Sequence, residues 1–86
     1  MYEIYFTKRA AKEYKALDAT ITNRVDVALS NLSINPRREG SIKLKNRFGY
    51  RIRVGKYRVI YDILDDVLVI EVIKIAHRKD VYTEKK

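Results

Sequence analysis

The sequence predicts an α+β domain in which an N-terminal strand and an antiparallel pair of helices precede a twisted antiparallel meander of three to four strands. Apolar residues recur at helical spacing up to position 34, apolar and basic residues alternate from position 50, and two tight turns divide the second half. The chain has 86 residues, 47% of them hydrophobic, which is enough for one small domain over residues 1–86.

The first half contains the signals for a strand and two helices. Residues 2–6 alternate weakly and predict a short strand, after which Thr7 can cap a first helix. Asp18 or Thr20 can cap a second helix, which Asn35-Pro36 ends because proline disfavours helical conformation in the residue before it. The apolar stripes of the two helices are Ala10, Ala11, Tyr14 and Leu17, and then Ile21, Val25, Ala28, Leu29 and Leu32.

The second half is predicted to be a sheet. Gly55-Lys56 is a two-residue turn with glycine first, which suits a type II′ hairpin, and Asp65-Asp66 is a second tight turn. These turns separate strands of roughly 48–54, 57–64 and 67–75, with a further short strand near residues 41–45.

The first hairpin sets a register in which Arg53 faces Arg58 and Arg51 faces Ile60. One face of the sheet is then core: Tyr50, Ile52, Val54, Tyr57, Val59, Tyr61, Ile63, Leu68, Ile70 and Val72. The other face carries Arg51, Arg53, Arg58, Asp62 and Glu71, with Ile60, Val69 and Ile73 among them. Like charges facing each other across a ladder are unfavourable, and a phosphate between arginine forks would relieve the conflict. The alternative is that the long side chains separate into water.

The net charge of +8 is concentrated in one segment. Residues 37–58 hold nine basic side chains against Glu39 alone, and the charges of the other residues cancel. Such a patch favours a polyanion, with nucleic acid as the leading partner. A solvated basic face or an acidic protein partner are the alternatives.

Composition excludes several chemistries. The chain has no cysteine and one histidine, and it has neither a glycine-rich phosphate loop nor a cluster with metal-ligand spacing, so we predict no metal and no cofactor. RNA supplies its own nucleophile, the 2′-hydroxyl, which leaves metal-free phosphoryl transfer as available chemistry. Arginine cannot readily act as a base, so His77 and Tyr82 are the two candidate proton carriers. No segment could span a membrane and no signal peptide is visible, which predicts a cytoplasmic protein.

Four sequence motifs resemble the RelE/ParE superfamily of toxins, and its RelE branch most closely. They follow the helical pair in the order Lys43-Leu44-Lys45, Gly49-Tyr50-Arg51-Ile52-Arg53, Tyr57-Arg58-Val59-Ile60-Tyr61 and His77-Arg78-Lys79-Asp80-Val81-Tyr82. The resemblance implies a microbial-ribonuclease-like fold and a ribosome-dependent endoribonuclease that cleaves mRNA in the ribosomal A site. It also implies an acidic, RelB-like antitoxin partner, with DNA bound only through the toxin–antitoxin complex.

The resemblance assigns catalytic roles to five residues: Arg51, Arg53, Arg58, Arg78 and Tyr82. We assign nucleic-acid contacts to Lys43, Lys45, Arg47, Lys56 and His77. Some relatives carry lysines at the positions of Arg51 and Arg53, so the base in this chain is expected to be Tyr82 or His77. Two other functions stay open, a ParE-like inhibitor of DNA gyrase and a basic RNA-binding or ribosome-binding module without catalysis.

Overall fold

A computed structural model of the protein describes residues 1–44 and 49–77. The elements run β1 (Glu3–Phe6), α1 (Lys8–Lys15), α2 (Ala19–Ile34), β2 (Ile42–Lys43), β3 (Tyr50–Val54), β4 (Tyr57–Leu64) and β5 (Val69–His77). The five strands form one sheet in the order β1-β5-β4-β3-β2. The predicted α+β class is therefore confirmed. In the part of the chain that the structure describes, no helix is long and apolar enough to cross a membrane.

Both helices begin at capping residues that the sequence predicted. The Thr7 hydroxyl accepts a hydrogen bond from the Ala10 amide at 3.1 Å, and Asp18, rather than Thr20, accepts one from the Ile21 amide at 3.1 Å. These side chains satisfy amide groups that have no partner within the first turn of a helix. The second helix ends at Ile34, with Asn35 as its C-cap before the proline.

The sheet is mixed, because β1 pairs parallel to β5 while every other pair is antiparallel. The chain leaves β1 at one edge, passes through both helices and enters β2 at the opposite edge. The meander β2 to β5 then brings the chain back beside β1. The predicted β3–β4 register is confirmed, and Gly55 has a φ of +61°, the conformation that the first central residue of a type II′ turn requires.

The second turn differs from the prediction. Leu64 pairs with Val69, so the loop contains four residues, 65–68, instead of the two of Asp65-Asp66. Leu68 lies in this loop with a φ of +54° and is 50% exposed, so its assignment to the core was wrong. Because the loop is longer by two residues, side-chain parity is preserved, and Ile70 and Val72 still face the core as predicted.

A β-bulge interrupts the pairing of β4 with β5. Tyr61 pairs with Val72 and Ile60 with Lys74, so Ile73 is an extra residue, not the regular member of the outer face that alternation predicted. The two helices cover the other face, where the core consists of Ala10, Val25, Leu29, Leu32, Ile52, Val54, Val59, Tyr61, Ile70, Val72 and Ile75.

Tyr61 is fully buried and its hydroxyl donates a hydrogen bond to the Pro36 carbonyl at 2.7 Å. Burial raises the pKa of this phenol, because the charged form is poorly solvated there. Gly49, which has a φ of +116°, lies close to the same strand, since a Cβ at this position would be 3.1 Å from the Tyr61 carbonyl oxygen. The approach of the chain to β3 therefore requires glycine.

Candidate nucleic-acid interface

Three arginines share the sheet face that points away from the helices. Arg53 lies directly opposite Arg58, and Arg51 lies opposite Ile60. Positions 51 and 53 are two residues apart on β3, so both side chains leave the same face. The predicted like-charge pair therefore exists in the fold.

The three arginines differ in burial. Arg53 is exposed and Arg51 is half-buried, whereas Arg58 is only 3% exposed. Its cross-strand partner Ala76 and its neighbour Ile60 are buried as well. The alternative, in which all three side chains separate into water, is therefore wrong for Arg58. Arg58 thus lies at the buried centre of the face, whereas Arg53 lies at its solvent-exposed β3 edge.

Lys74 is a fourth cation of the same face, and our sequence analysis did not assign it a role. It pairs with Ile60, which lies between it and Arg51 in the same cross-strand row. Counting in twos from Val72 would have directed Lys74 into the core. The bulge at Ile73 reverses this parity, and no signal in the local sequence marks the bulge.

Arg51 and Arg53 also line a groove of about 780 Å³ between α2 and the edge of β3. Strand β2 pairs only with residues 50 and 51, so β3 is an edge strand from Ile52 onwards. The groove adds Arg24 of α2 and Arg38 to the cationic surface, and one carboxylate, Glu39, lines it as well. Arg24 lies outside the basic segment 37–58, so only the fold brings it to this surface.

Arg37 belongs to the basic segment but is held in a structural cluster. Its guanidinium pairs with Asp65 at 2.9 Å and donates to the Tyr50 hydroxyl at 3.2 Å. The Tyr2 hydroxyl donates to the same carboxylate at 2.7 Å. The hydrogen bond from Arg37, followed by that from Tyr2, lowers the pKa of Asp65 below its ordinary value. This cluster ties the second turn to the segment after α2.

The opposite end of the outer face is acidic. Asp62 on β4 lies directly opposite Glu71 on β5, and Tyr5 of β1 lies beside Glu71. Both carboxylates are half-buried. A polyanion is repelled there, so the surface that can hold one lies towards the Gly55-Lys56 turn.

The predicted nucleic-acid contacts are distributed over more than one surface. Lys56 is exposed in the turn beside the arginines. Lys43 pairs with Tyr50, which is adjacent to Arg51 on β3. Successive residues of a strand point to opposite faces, so Lys43 lies on the face opposite the arginines. His77 pairs with Tyr57, and their rings contact edge to face with centroids 5.3 Å apart. Because Tyr57 packs against the core, the imidazole lies on the face opposite the arginines.

Four residues that the sequence singled out lie outside the described residues: Lys45, Arg47, Arg78 and Tyr82. Their roles therefore stay predictions, as do the roles of the residues whose positions are given above.

The fold and its arginines define a small basic α+β protein with a cationic sheet face. The family model described as the ParE toxin of type II toxin–antitoxin systems, parDE, matches residues 4–82. The chain belongs to this toxin family, which confirms the predicted superfamily.

Curated relatives support the RelE branch. The mRNA interferase toxin RelE of Escherichia coli strain K12 is 30% identical over 88 residues, covering 96% of this chain and 92% of that protein. Toxin RelG of Mycobacterium tuberculosis is 30% identical over 83 residues, covering 94% of this chain and 95% of that protein.

Solved structures of toxin–antitoxin complexes have the same fold. A chain of the intact Escherichia coli RelBE complex superposes with a TM-score of 0.77 at 28% identity, covering 90% of this chain and 96% of that chain. A chain of a RelBE complex from Mycobacterium tuberculosis superposes with a TM-score of 0.78 at 29% identity, covering 90% and 98%.

Proposed function

We propose that this toxin is a ribosome-dependent endoribonuclease that cleaves mRNA in the ribosomal A site and so inhibits translation. The single observation that carries the proposal is the convergence of Arg51, Arg53 and Arg58 on one face of the β3–β4 hairpin. The similarity to a protein named mRNA interferase toxin RelE supports the same activity. Ribosomes and mRNA place the site of action in the cytoplasm.

The reaction requires no group beyond RNA and side chains. The 2′-oxygen attacks the adjacent phosphorus, a bond from that oxygen to phosphorus forms, and the bond from phosphorus to the 5′-oxygen breaks. The proton of the 2′-hydroxyl passes to a base, and the departing 5′-oxygen takes a proton from an acid. The products are a cyclic phosphate and a free 5′-hydroxyl. Arg58, with Arg51 and Arg53, stabilises the negative charge that develops on the phosphate oxygens.

We assign proton transfer to Tyr82 and a further phosphate contact to Arg78, four residues before it in the sequence. The resemblance places both residues among the catalytic set. The alternative carrier, His77, packs against Tyr57 on the face opposite the arginines, which disfavours it. Tyr82→Phe is therefore expected to slow cleavage strongly, and His77→Gln is expected to change it little.

The antitoxin is proposed to be an acidic, largely helical segment that folds as it covers the arginine face. Named RelB–RelE complexes among the structural relatives support a partner of this kind. Opposite charge speeds the association, and covering the face removes the RNA-binding surface in a resting cell. DNA binding is assigned to the complex alone.

The test is primer extension on a reporter mRNA in a cell-free translation system. Wild-type protein is expected to cut inside translated codons, and the cuts should disappear when ribosomes are omitted. Arg58→Met should abolish cutting while the protein stays folded. Lys12→Met, at an exposed position on α1, is the matched control and should cut like wild type. Intact mRNA from folded wild-type protein would refute the proposal.

The alternative is a ParE-like inhibitor of DNA gyrase, which the description of the matching family model mentions by its ParE name, whereas the named relatives support the RelE function. A supercoiling assay with purified gyrase separates the two functions. Inhibition that survives Arg58→Met, together with intact mRNA, would establish the alternative. No inhibition at concentrations that cleave mRNA would exclude it.

A further inference from the structure

The β-bulge at Ile73 adds a lysine to the arginine face. Ile60 lies between Arg51 on one neighbouring strand and Lys74 on the other. Neighbouring strands are about 4.7–4.9 Å apart, so Lys74 starts two strand spacings from Arg51. Ala76 lies opposite Arg58, which makes Lys74 a diagonal neighbour of that arginine at about 7–8 Å. The long side chains of all three can therefore contact one phosphate or two consecutive phosphates.

Hydrogen bonds from the first helix hold this bulge in place. The Thr7 amide donates to the Val72 carbonyl at 3.0 Å, and the Thr7 hydroxyl donates to the Ile73 carbonyl at 3.1 Å. On the other side of Lys74, the Ile75 amide donates to the Glu13 carboxylate at 2.7 Å. Backbone groups on both sides of Lys74 are thus fixed, and the direction of its side chain is set by contacts with α1 and its cap.

Lys74 is 8% exposed, close to the 3% of Arg58. Both cations lie at the covered centre of the face, whereas Arg53 at its β3 edge is exposed. Burial of a charged side chain is costly, so a buried lysine or arginine is found where groups of opposite charge or hydrogen-bond acceptors interact with it.

We propose that Lys74 binds the RNA phosphate backbone together with Arg58, as a fourth cation of the arginine face. This inference rests on the proposed function, because it takes single-stranded RNA as the ligand. The ammonium group of Lys74 would act as a point charge that supplies positive potential, whereas the guanidinium of Arg58 can donate paired hydrogen bonds. A phosphate can reach Lys74 and Arg58 only when these buried side chains become exposed.

The test measures how the binding of a short single-stranded RNA depends on salt. The probe carries 2′-O-methyl groups throughout, so it cannot be cleaved. Each phosphate that a cation neutralises contributes about 0.7 to the slope of log affinity against log salt concentration for a single strand. Lys74→Met is expected to lower the slope by about 0.7, and Lys74→Arg should keep it. Lys12→Met, which removes an exposed charge on α1, should leave the slope unchanged.

Cleavage in the translation system provides the second readout. Lys74→Met should slow it by about 10²-fold, the usual effect of removing one stabilising group, while Lys74→Arg stays within a few fold of wild type. Circular dichroism shows which variants fold, and Lys74→Gln replaces Lys74→Met if the latter does not. An unchanged slope and rate in a folded charge-removing variant would overturn the inference.

Lys74→Arg and Lys74→Met could instead reduce the salt slope and the cleavage rate equally. That result would also overturn the inference, because it would mean that the packing of Lys74, and not its charge, is needed. A wild-type protein that binds the probe but leaves mRNA intact would refute the proposed ribonuclease. The salt slopes would in that case still decide whether Lys74 contacts RNA.

Discussion

Arg53 on β3 lies directly opposite Arg58 on β4, so two like charges face each other across a ladder that is otherwise well paired. Such a pair destabilises the hairpin by about 0.2–1 kcal/mol. A fold that keeps this pair gives up stability for a charged surface. Removing one arginine of the pair should therefore raise the stability of the fold and lower its activity.

Arg53→Thr is the direct test of that relationship. Threonine suits an exposed strand position and removes the repulsion, so the free energy of unfolding should rise by about 0.2–1 kcal/mol. Cleavage of mRNA should fall at least tenfold. Urea denaturation and primer extension measure the two effects. Lys12→Gln, which removes a charge from α1, should change neither, and a destabilised Arg53→Thr would contradict the prediction.

Glu13 is predicted to act at a distance on the arginine face. Glu13→Ala removes the carboxylate that accepts a hydrogen bond from the backbone amide of Ile75 on β5. Leaving this amide without an acceptor should lower the free energy of unfolding by about 1–3 kcal/mol. The β-bulge should become more mobile. The rate of mRNA cleavage should therefore fall by more than the loss of folded protein accounts for. Arg9→Ala is the control, because it removes the exposed 3.0 Å ion pair to Glu13 but keeps the acceptor. Equal behaviour of the two variants in unfolding and cleavage assays would disprove the role of the bulge.

Gly49 and Gly40 form a matched pair for the close approach at β3. Both have positive φ, +116° and +98°, so alanine is strained at either position. Only at Gly49 would a Cβ also meet the Tyr61 carbonyl oxygen, at 3.1 Å. Gly49→Ala should therefore lower the free energy of unfolding by about 1–3 kcal/mol, and by more than Gly40→Ala. Thermal unfolding of the two variants measures the difference in stability. Equal losses of stability would show that the contact with the Tyr61 carbonyl oxygen does not matter.

The cluster of Asp65 with Arg37 and Tyr2 predicts a dependence of stability on acid. The pKa of the Asp65 carboxyl is lower in the folded state than its ordinary value of 3.8. The ionised carboxylate therefore stabilises the fold at pH values above 3.8. The contribution is lost as the pH falls from about 4 through the lowered pKa. Melting temperatures between pH 7 and pH 2 should fall less steeply in Asp65→Asn than in wild type. Asp66→Asn, at the neighbouring exposed carboxylate, should follow the wild-type curve.

Much of the arginine face follows from the sequence alone. Alternation places Arg51 and Arg53 on one side, and a glycine-first turn of two residues leaves one register for the hairpin. Lys74 and Arg24 could not be found in this way. Lys74 changes face at a bulge, and Arg24 comes from a helix that reaches the β3 edge only in the folded chain. The burial of Arg58 was missed for a related reason, since period-two alternation predicts a face and not what covers it.

The sequence by itself determined the features that short-range interactions control: the helix cap at Thr7, a second cap at Asp18 or Thr20, the helix end before Pro36, and the β3–β4 register. Each depends on residues a few positions apart. Only the tertiary structure decided the parallel pairing of β1 with β5, the bulge at Ile73 and the direction of Lys74. These depend on contacts such as Glu13 with Ile75, which are 62 residues apart, and on the competition among whole strands for the same edge.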